Sequence, residues 1–203
     1  MSKKEHWDKI YSTKTLQEVS WYQPVPKISL ELILSLKLSK DSPIIDVGGG
    51  DSFLVDSLIE KGYLDLTVLD ISKVAIERAK NRLGKHAKKV NWIVADITNF
   101  YPERKYSVWH DRAVFHFLRN EQEINSYLKS LNDGTDDNGK LVIGTFAENG
   151  PLRCCALDIK RYSFNDLENT FSNYFQINKM INSIHQTPFN TDQSFNFVQA
   201  IKK

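Results

Sequence analysis

The chain has 203 residues, with 41% hydrophobic and 26% charged residues, enough to bury a core without disulfide or metal staples. Its 27 basic and 25 acidic residues leave a net charge of +2, which predicts no polyanion partner without excluding one. Membrane-spanning, collagen-like, disulfide-framework and fully disordered classes are excluded: no apolar run nears the roughly 20 residues a bilayer requires, and the only cysteines, Cys154 and Cys155, are adjacent.

Met1 to Asp8 is polar and mixed in charge, unlike a signal peptide, and with the paired cysteines it predicts a reducing cytoplasm. Trp7, Tyr11, Trp21 and Tyr22 are dense for a polar N-terminal segment; they fit either core packing or an aromatic lid over residues 1–25. Apolar spacing predicts a helix over Ile28–Leu38, with Pro26 suited to its first turn. Ile44–Val47 reads as a buried strand ended by Gly48-Gly49-Gly50. A helix over Phe53–Lys61 stops at Gly62, and a second strand, Leu66–Leu69, ends at Asp70. Ser72 can cap a helix over Lys73–Leu83, after which Lys85, Lys88 and Lys89 oppose the helix dipole. Strands follow at Val90–Ala95, ended by Asp96, and at Tyr106–His110. A helix over Glu121–Leu131, a loop over Asn132–Gly139 and a strand over Lys140–Phe146 complete the alternation. In the last third, Ser163-x-x-Asp166 opens a short helix through Phe171. Strand-like segments at Tyr174–His185 and Ser194–Ile201 are joined too closely for a crossover and predict an antiparallel hairpin. Strands alternating with helices predict a doubly wound α/β fold, a mostly parallel sheet with helices on both faces.

In such a sheet, ligands bind beyond the carboxyl ends of the strands. Three successive strands here end in Asp46-Val47-Gly48-Gly49-Gly50, in Asp70 and in Asp96, so one rim carries a glycine loop and carboxylates. Asp70 follows Gly50 by about twenty residues, the spacing at which an acid meets a ribose diol. A dinucleotide fingerprint fails because Phe53 replaces its third glycine, and no Gly-Lys-Ser/Thr follows for a phosphate loop. S-adenosylmethionine needs no pyrophosphate cradle. Asp70 can accept from its ribose, Asp96 from its adenine amine, and Ile71 and Ile97 can flank the base. The loop from Gly48 to Gly50 can surround the methionine part.

With Ile44-Ile45-Asp46-Val47-Gly48-Gly49-Gly50-Asp51-Ser52, Val68-Leu69-Asp70-Ile71-Ser72 and Ala95-Asp96-Ile97 in this order, the chain resembles the class I, seven-stranded S-adenosylmethionine-dependent methyltransferases. The closing hairpin fits, because that fold ends in a reversed strand inserted into the sheet. His6-Trp7-Asp8-Lys9-Ile10-Tyr11, Val19-Ser20-Trp21-Tyr22-Gln23 and Trp109-His110-Asp111-Arg112-Ala113-Val114-Phe115-His116-Phe117-Leu118 are similar to a small bacterial branch, itself similar in pattern to some protein-lysine methyltransferases. The resemblance implies one methyltransferase domain over 1–203 and places Asp46 near the cofactor's amino group. Gly49 stands where many relatives carry Cys or Ala, a change the fold should tolerate.

The resemblance implies methyl transfer to an N, O or S nucleophile of a small molecule or protein side chain, by a monomer or homodimer. The alternatives are a non-catalytic S-adenosylmethionine-binding regulator and an NAD(P) enzyme, the latter weakened by Phe53. The implied cofactor contacts are Trp7, Tyr11, Trp21, Asp46, Gly48, Gly49, Gly50, Asp70, Ile71, Asp96, Ile97 and His110. His110, just past the fourth strand, leads the catalytic candidates, followed by Asp111 and His116. Arg112 can pair with Asp111 or hold an acidic substrate. Gly150 to Cys155 can wall the substrate, its thiols packed rather than nucleophilic. A zinc site on His110, His116 and His185 lacks ligand spacing, and no metal is expected. Base N-methylation is disfavoured, because His110-Asp111-Arg112-Ala113 stands where an Asn/Asp-Pro-Pro-aromatic motif would cradle a nucleobase amine.

Overall fold

The computed structural model describes all 203 residues, Met1–Lys203. Its N-terminal segment is a helix, α1 (Lys3–Thr13), which the apolar pattern did not announce because none of its residues is fully buried. A capping box starts it: Ser2 Oγ accepts from Glu5 N–H while Glu5 accepts from Ser2 N–H. Helix α2 (Lys27–Ser35) buries Ser29, Leu30, Leu32 and Ile33. Then come β1 (Ile44–Val47), α3 (Leu54–Glu60), β2 (Leu66–Asp70), α4 (Lys73–Leu83) and β3 (Val90–Val94). Ser72 caps α4 by accepting from Ala75 N–H at 3.2 Å. Strand β4 (Tyr106–Arg112) runs two residues longer than its apolar run suggests.

The predicted loop over Asn132–Gly139 is not one. Helix α5 (Glu121–Gly134) continues through its first residues, and β5 (Thr135–Phe146) begins directly. Tyr106 pairs with Thr135 and Val108 with Lys140, so the residues between bulge out of the ladder, with Asn138 at a φ of 60°. The turn-forming residues serve that bulge rather than a loop.

After β5, a short ribbon of β6 (Arg153–Cys154) and β7 (Leu157–Asp158) turns through Cys155 and Ala156, at φ of 50° and 65°. Helix α6 (Phe164–Phe171) opens with the expected Ser163 box, and β8 (Phe175–Gln186) and β9 (Asp192–Lys202) form the expected antiparallel pair. The main sheet has the order β3-β2-β1-β4-β5-β9-β8, with β1 to β5 parallel and β9 antiparallel to both neighbours. Strand order reverses between β1 and β4, which opens a crevice at their carboxyl ends.

Side chains alternate across this sheet. Ile44 and Val108 join one apolar core with Ile33, Leu54 and Leu58. Ile45, Val47 and Trp109 join the other with Tyr127, Leu131 and Phe171. The alternation sends His110 and Arg112 to the α2 side and Asp111 to the α5 side. No helix is long and apolar enough to cross a membrane.

Candidate active site

Most of the residues that line the crevice are hydrophobic, with carboxylates, a guanidinium and an imidazole among them. An apolar lining with a few convergent polar groups is the usual make-up of a small-molecule site.

Its floor is the glycine loop. Gly48 and Gly50 hold φ of 66° and 44°, and a Cβ on Gly48 would lie 1.8 Å from Val114 Cγ2. One on Gly50 would lie 2.8 Å from both Asp70 Oδ2 and the Tyr11 hydroxyl. Gly49 does not share their positive φ; its Cβ would stand 2.6 Å from Asp46 Oδ2 and 2.9 Å from Val68 Cγ1, both side-chain ends. Bare backbone therefore packs directly beneath the carboxylates. Phe53, in place of a third glycine, packs against Tyr22 with ring centroids 5.9 Å apart and under the Arg82 guanidinium at 4.1 Å. Arg82 also pairs with Asp51 and Asp56, which anchors the loop to α4.

Three carboxylates line the rim as expected. Asp70 is buried, and its Oδ1 accepts from Ser72 N–H at 2.7 Å. Burial raises its ionisation to about 7, with Asp46 and Asp8 adding repulsion. Asp96 caps the following turn through Oδ1, which accepts from Thr98 N–H at 2.9 Å and Thr98 Oγ1 at 2.8 Å. Capping and cavity-lining coexist, because both bonds use one oxygen. Ile71 and Ile97 flank the same region.

Trp7, Tyr11 and Trp21 line the crevice, with Trp7 edge-on to Trp21 at 5.8 Å and to Phe117 at 5.2 Å. Asp8 and Arg78 hold this aromatic segment against α4. Asp8 accepts from Ser72 Oγ at 2.7 Å, and Arg78 donates to the carbonyls of Tyr11 and Lys14 at 2.7 Å each. Arg78 also pairs with Asp51 at 2.9 Å, which ties α1 to the glycine loop. The one sequence signal for α1 was Ser2-x-x-Glu5.

The catalytic candidates are placed differently from expectation. His110 lines the crevice, but both ring nitrogens are engaged: Nδ1 lies 2.6 Å from Asp46 Oδ1 and Nε2 2.9 Å from Ser29 Oγ. The imidazole orients Asp46 and has no free lone pair for an acceptor's proton. Asp111 points away from the crevice and is fully buried, accepting from Val114 N–H at 2.9 Å and from the Tyr127 hydroxyl at 2.8 Å. Burial pushes its ionisation to about 6. It does not pair with Arg112. His116 is also outside the crevice wall, stacked on Phe146 at 4.5 Å, with Nδ1 accepting from Phe146 N–H at 3.3 Å. Burial depresses its ionisation to about 3, so it stays neutral. Asp111 and His116 are thus structural here, because strand parity and the turn after β4 carry both into the core.

Cys154 lines the crevice. Its hydrogen bond with Cys155, then burial, pushes its thiol well up and keeps it protonated. Gln193, which the sequence reading did not single out, lines the same end, with Oε1 buried and unpartnered. His185 is not a metal ligand: Nε2 donates to the Ser20 carbonyl at 2.6 Å, and Nδ1 meets Gln23 Nε2 at 3.0 Å.

The sequence over residues 45–141 matches a family described as a methyltransferase domain. A malonyl-[acyl-carrier protein] O-methyltransferase of Ilyobacter polytropus is 32% identical over 110 residues, covering 53% of this chain and 39% of that protein. The mouse eEF1A lysine and N-terminal methyltransferase is 25% identical over 122 residues, 59% of this chain and 17% of that protein. The chain therefore spans well under half the length of these relatives. The crystal structure of the N-methyltransferase NodS from Bradyrhizobium japonicum, solved with S-adenosylhomocysteine, superposes with a TM-score of 0.71 at 15% identity, covering 98% of this chain and 97% of that one. Residues 45–141 match the methyltransferase domain family, and the chain around them has the class I, seven-stranded fold of S-adenosylmethionine-dependent methyltransferases.

Proposed function

We propose that the chain acts as one methyltransferase domain that binds S-adenosylmethionine and moves its methyl group to a nucleophile of a small molecule or protein side chain. The observation that carries this reading is the row of Asp46, Asp70 and Asp96 at the carboxyl ends of three adjacent strands, above a loop whose Gly48 and Gly50 hold positive φ. Asp70, buried and short of donors, fits a ribose diol; Asp96 Oδ2 fits the adenine amine; Asp46, held by His110, fits the α-amino group. When bound, the cofactor supplies an electrophilic sulfonium methyl. The protein's contribution is orientation and exclusion of water by Trp7, Tyr11 and Trp21, since the leaving thioether is neutral and needs no acid. The two free thiols fit a reducing cytoplasm.

Isothermal calorimetry tests the reading. S-adenosylhomocysteine binds with micromolar-scale affinity and raises the melting temperature, and NAD does neither. Tight NAD binding without S-adenosylhomocysteine binding would overturn it.

A further inference from the structure

Resting on the proposed function, we infer that the methyl acceptor is a carboxylate, held by the Arg112 guanidinium at the Gln193–Cys154 end of the crevice and methylated on oxygen. Five of the seven arginines pair with a carboxylate of the chain: Arg78, Arg82, Arg104, Arg119 and Arg153. A sixth, Arg161, is exposed. Arg112 alone lines the crevice, and its one hydrogen bond is from Nη2 to the Trp21 carbonyl at 2.8 Å. Burial pulls its ionisation down only to about 10, so it remains a cation at neutral pH. Arg112 is half-buried and makes no ion pair; Asp46, whose charge reaches it, is spent on His110, so an anionic ligand adds a direct partner. A guanidinium fork also matches the two oxygens of a carboxylate.

With Asp46, Asp70 and Asp96 given to the cofactor, the Arg112 end of the crevice keeps no base. His110 is occupied at both nitrogens, as is His185, and the Cys154 thiol is protonated. An ammonium acceptor such as lysine is repelled by the guanidinium before it can lose a proton. A carboxylate arrives ionised. Its oxygen donates an electron pair to the methyl carbon as the carbon–sulfur pair returns to sulfur. One negative and one positive charge cancel, an ester and a neutral thioether result, and no proton moves.

The test uses the full chain saturated with S-adenosylhomocysteine, titrated with carboxylates from formate to phenylacetate and with a malonyl thioester, followed by melting temperature. Methyl-labelled S-adenosylmethionine and the same acids are then assayed for label released as methanol by alkali, which cleaves esters but not N- or S-methyl products. At least one acid stabilises the loaded protein and yields base-labile label, its amide being at least tenfold weaker. Arg112→Gln weakens that acid at least tenfold and leaves S-adenosylhomocysteine affinity unchanged, which also shows the variant folded; Arg112→Lys keeps part of the effect. No stabilisation by any of the acids, or base-stable label on amines, overturns the inference. So does loss of S-adenosylhomocysteine binding in folded Arg112→Gln, which would give Arg112 to the cofactor's own carboxylate while leaving the proposed function intact. Failure of the wild-type chain to bind S-adenosylhomocysteine refutes the proposed function itself.

Discussion

The β1–β3 half of the crevice and the β4–β5 half are built on opposite electrostatic plans. The first gathers Asp46, Asp70 and Asp96 over a glycine floor, with Asp46 and Asp70 buried. The second holds one guanidinium, an amide and a thiol among Trp21, Phe117, Phe146 and Phe195, with no acid. His110 sits on the border and serves the acidic half, because its ring is spent on Asp46 and Ser29. A donor that carries a diol, an amine and an ammonium belongs to one half, and an electron-rich acceptor to the other. The methyl passes between them.

The largest expected effect comes from removing the acidic half's central group. Asp70→Ala deletes the acceptor for two ribose hydroxyls, each a charged hydrogen bond of about 1.5 kcal/mol at the low end. S-adenosylhomocysteine affinity by calorimetry then falls about a hundredfold with the fold retained. If the affinity holds, the ribose lies elsewhere and the division of the crevice is wrong.

His110→Ala probes the border. It leaves Asp46 buried with a missing partner, which costs about 1–3 kcal/mol of stability. Cofactor affinity falls about tenfold together with the melting temperature, and His110→Asn, which can still donate to Asp46, restores part of both. A residue acting only on the acceptor would lower turnover and leave binding unchanged, so the two measurements separate the roles.

The pH dependence is the third test. Asp70 ionises at about 7 in the folded chain, against 3.8 for an exposed aspartate. Between these values the folded chain keeps a proton that the unfolded chain has lost, so this group makes stability fall as pH rises from about 4 to about 7. Cofactor affinity runs the other way, because the diol needs the ionised acceptor. It rises up to about tenfold per pH unit below 7 and levels off above, with about half a proton released per ligand at pH 7. Calorimetry in buffers of different ionisation enthalpy reads that proton; a flat profile places the ligand away from Asp70.

The smallest effect tests the N-terminal aromatic segment. Arg78→Ala frees the last turn of α1 from α4 and from Asp51. Partly exposed pairs of this kind contribute up to about 1 kcal/mol, so affinity drops only a fewfold. Amide hydrogen exchange in residues 3–13 quickens, while that in β1 does not.

The acidic half was legible in the sequence because each of its carboxylates ends a β-branched run, and the glycine spacing announces a close backbone approach. The parallel core and the closing hairpin were legible for the same reason: buried strands have a short, strong apolar signature. The other half was not. His110, Asp111 and Arg112 are consecutive, and their distance from the strand end does not tell which of them faces the ligand. Strand alternation does, once β4 is known to continue through Arg112. Gln193 reaches the crevice from the far hairpin, a separation in sequence that no local pattern reveals. Helix α1 was hidden because its stability comes from a cap and from Asp8 and Arg78 rather than from an apolar stripe. The run from Asn132 to Gly139 misled because turn residues also make bulges.

The most direct measurement is a crystal structure with S-adenosylhomocysteine. The account predicts the ribose diol on Asp70, the adenine amine at Asp96, the α-amino group at Asp46 beside His110, and the thioether sulfur facing the Arg112 end beneath Trp7 and Trp21. A nucleoside bound away from Asp70, or a sulfur turned from Arg112, would contradict it.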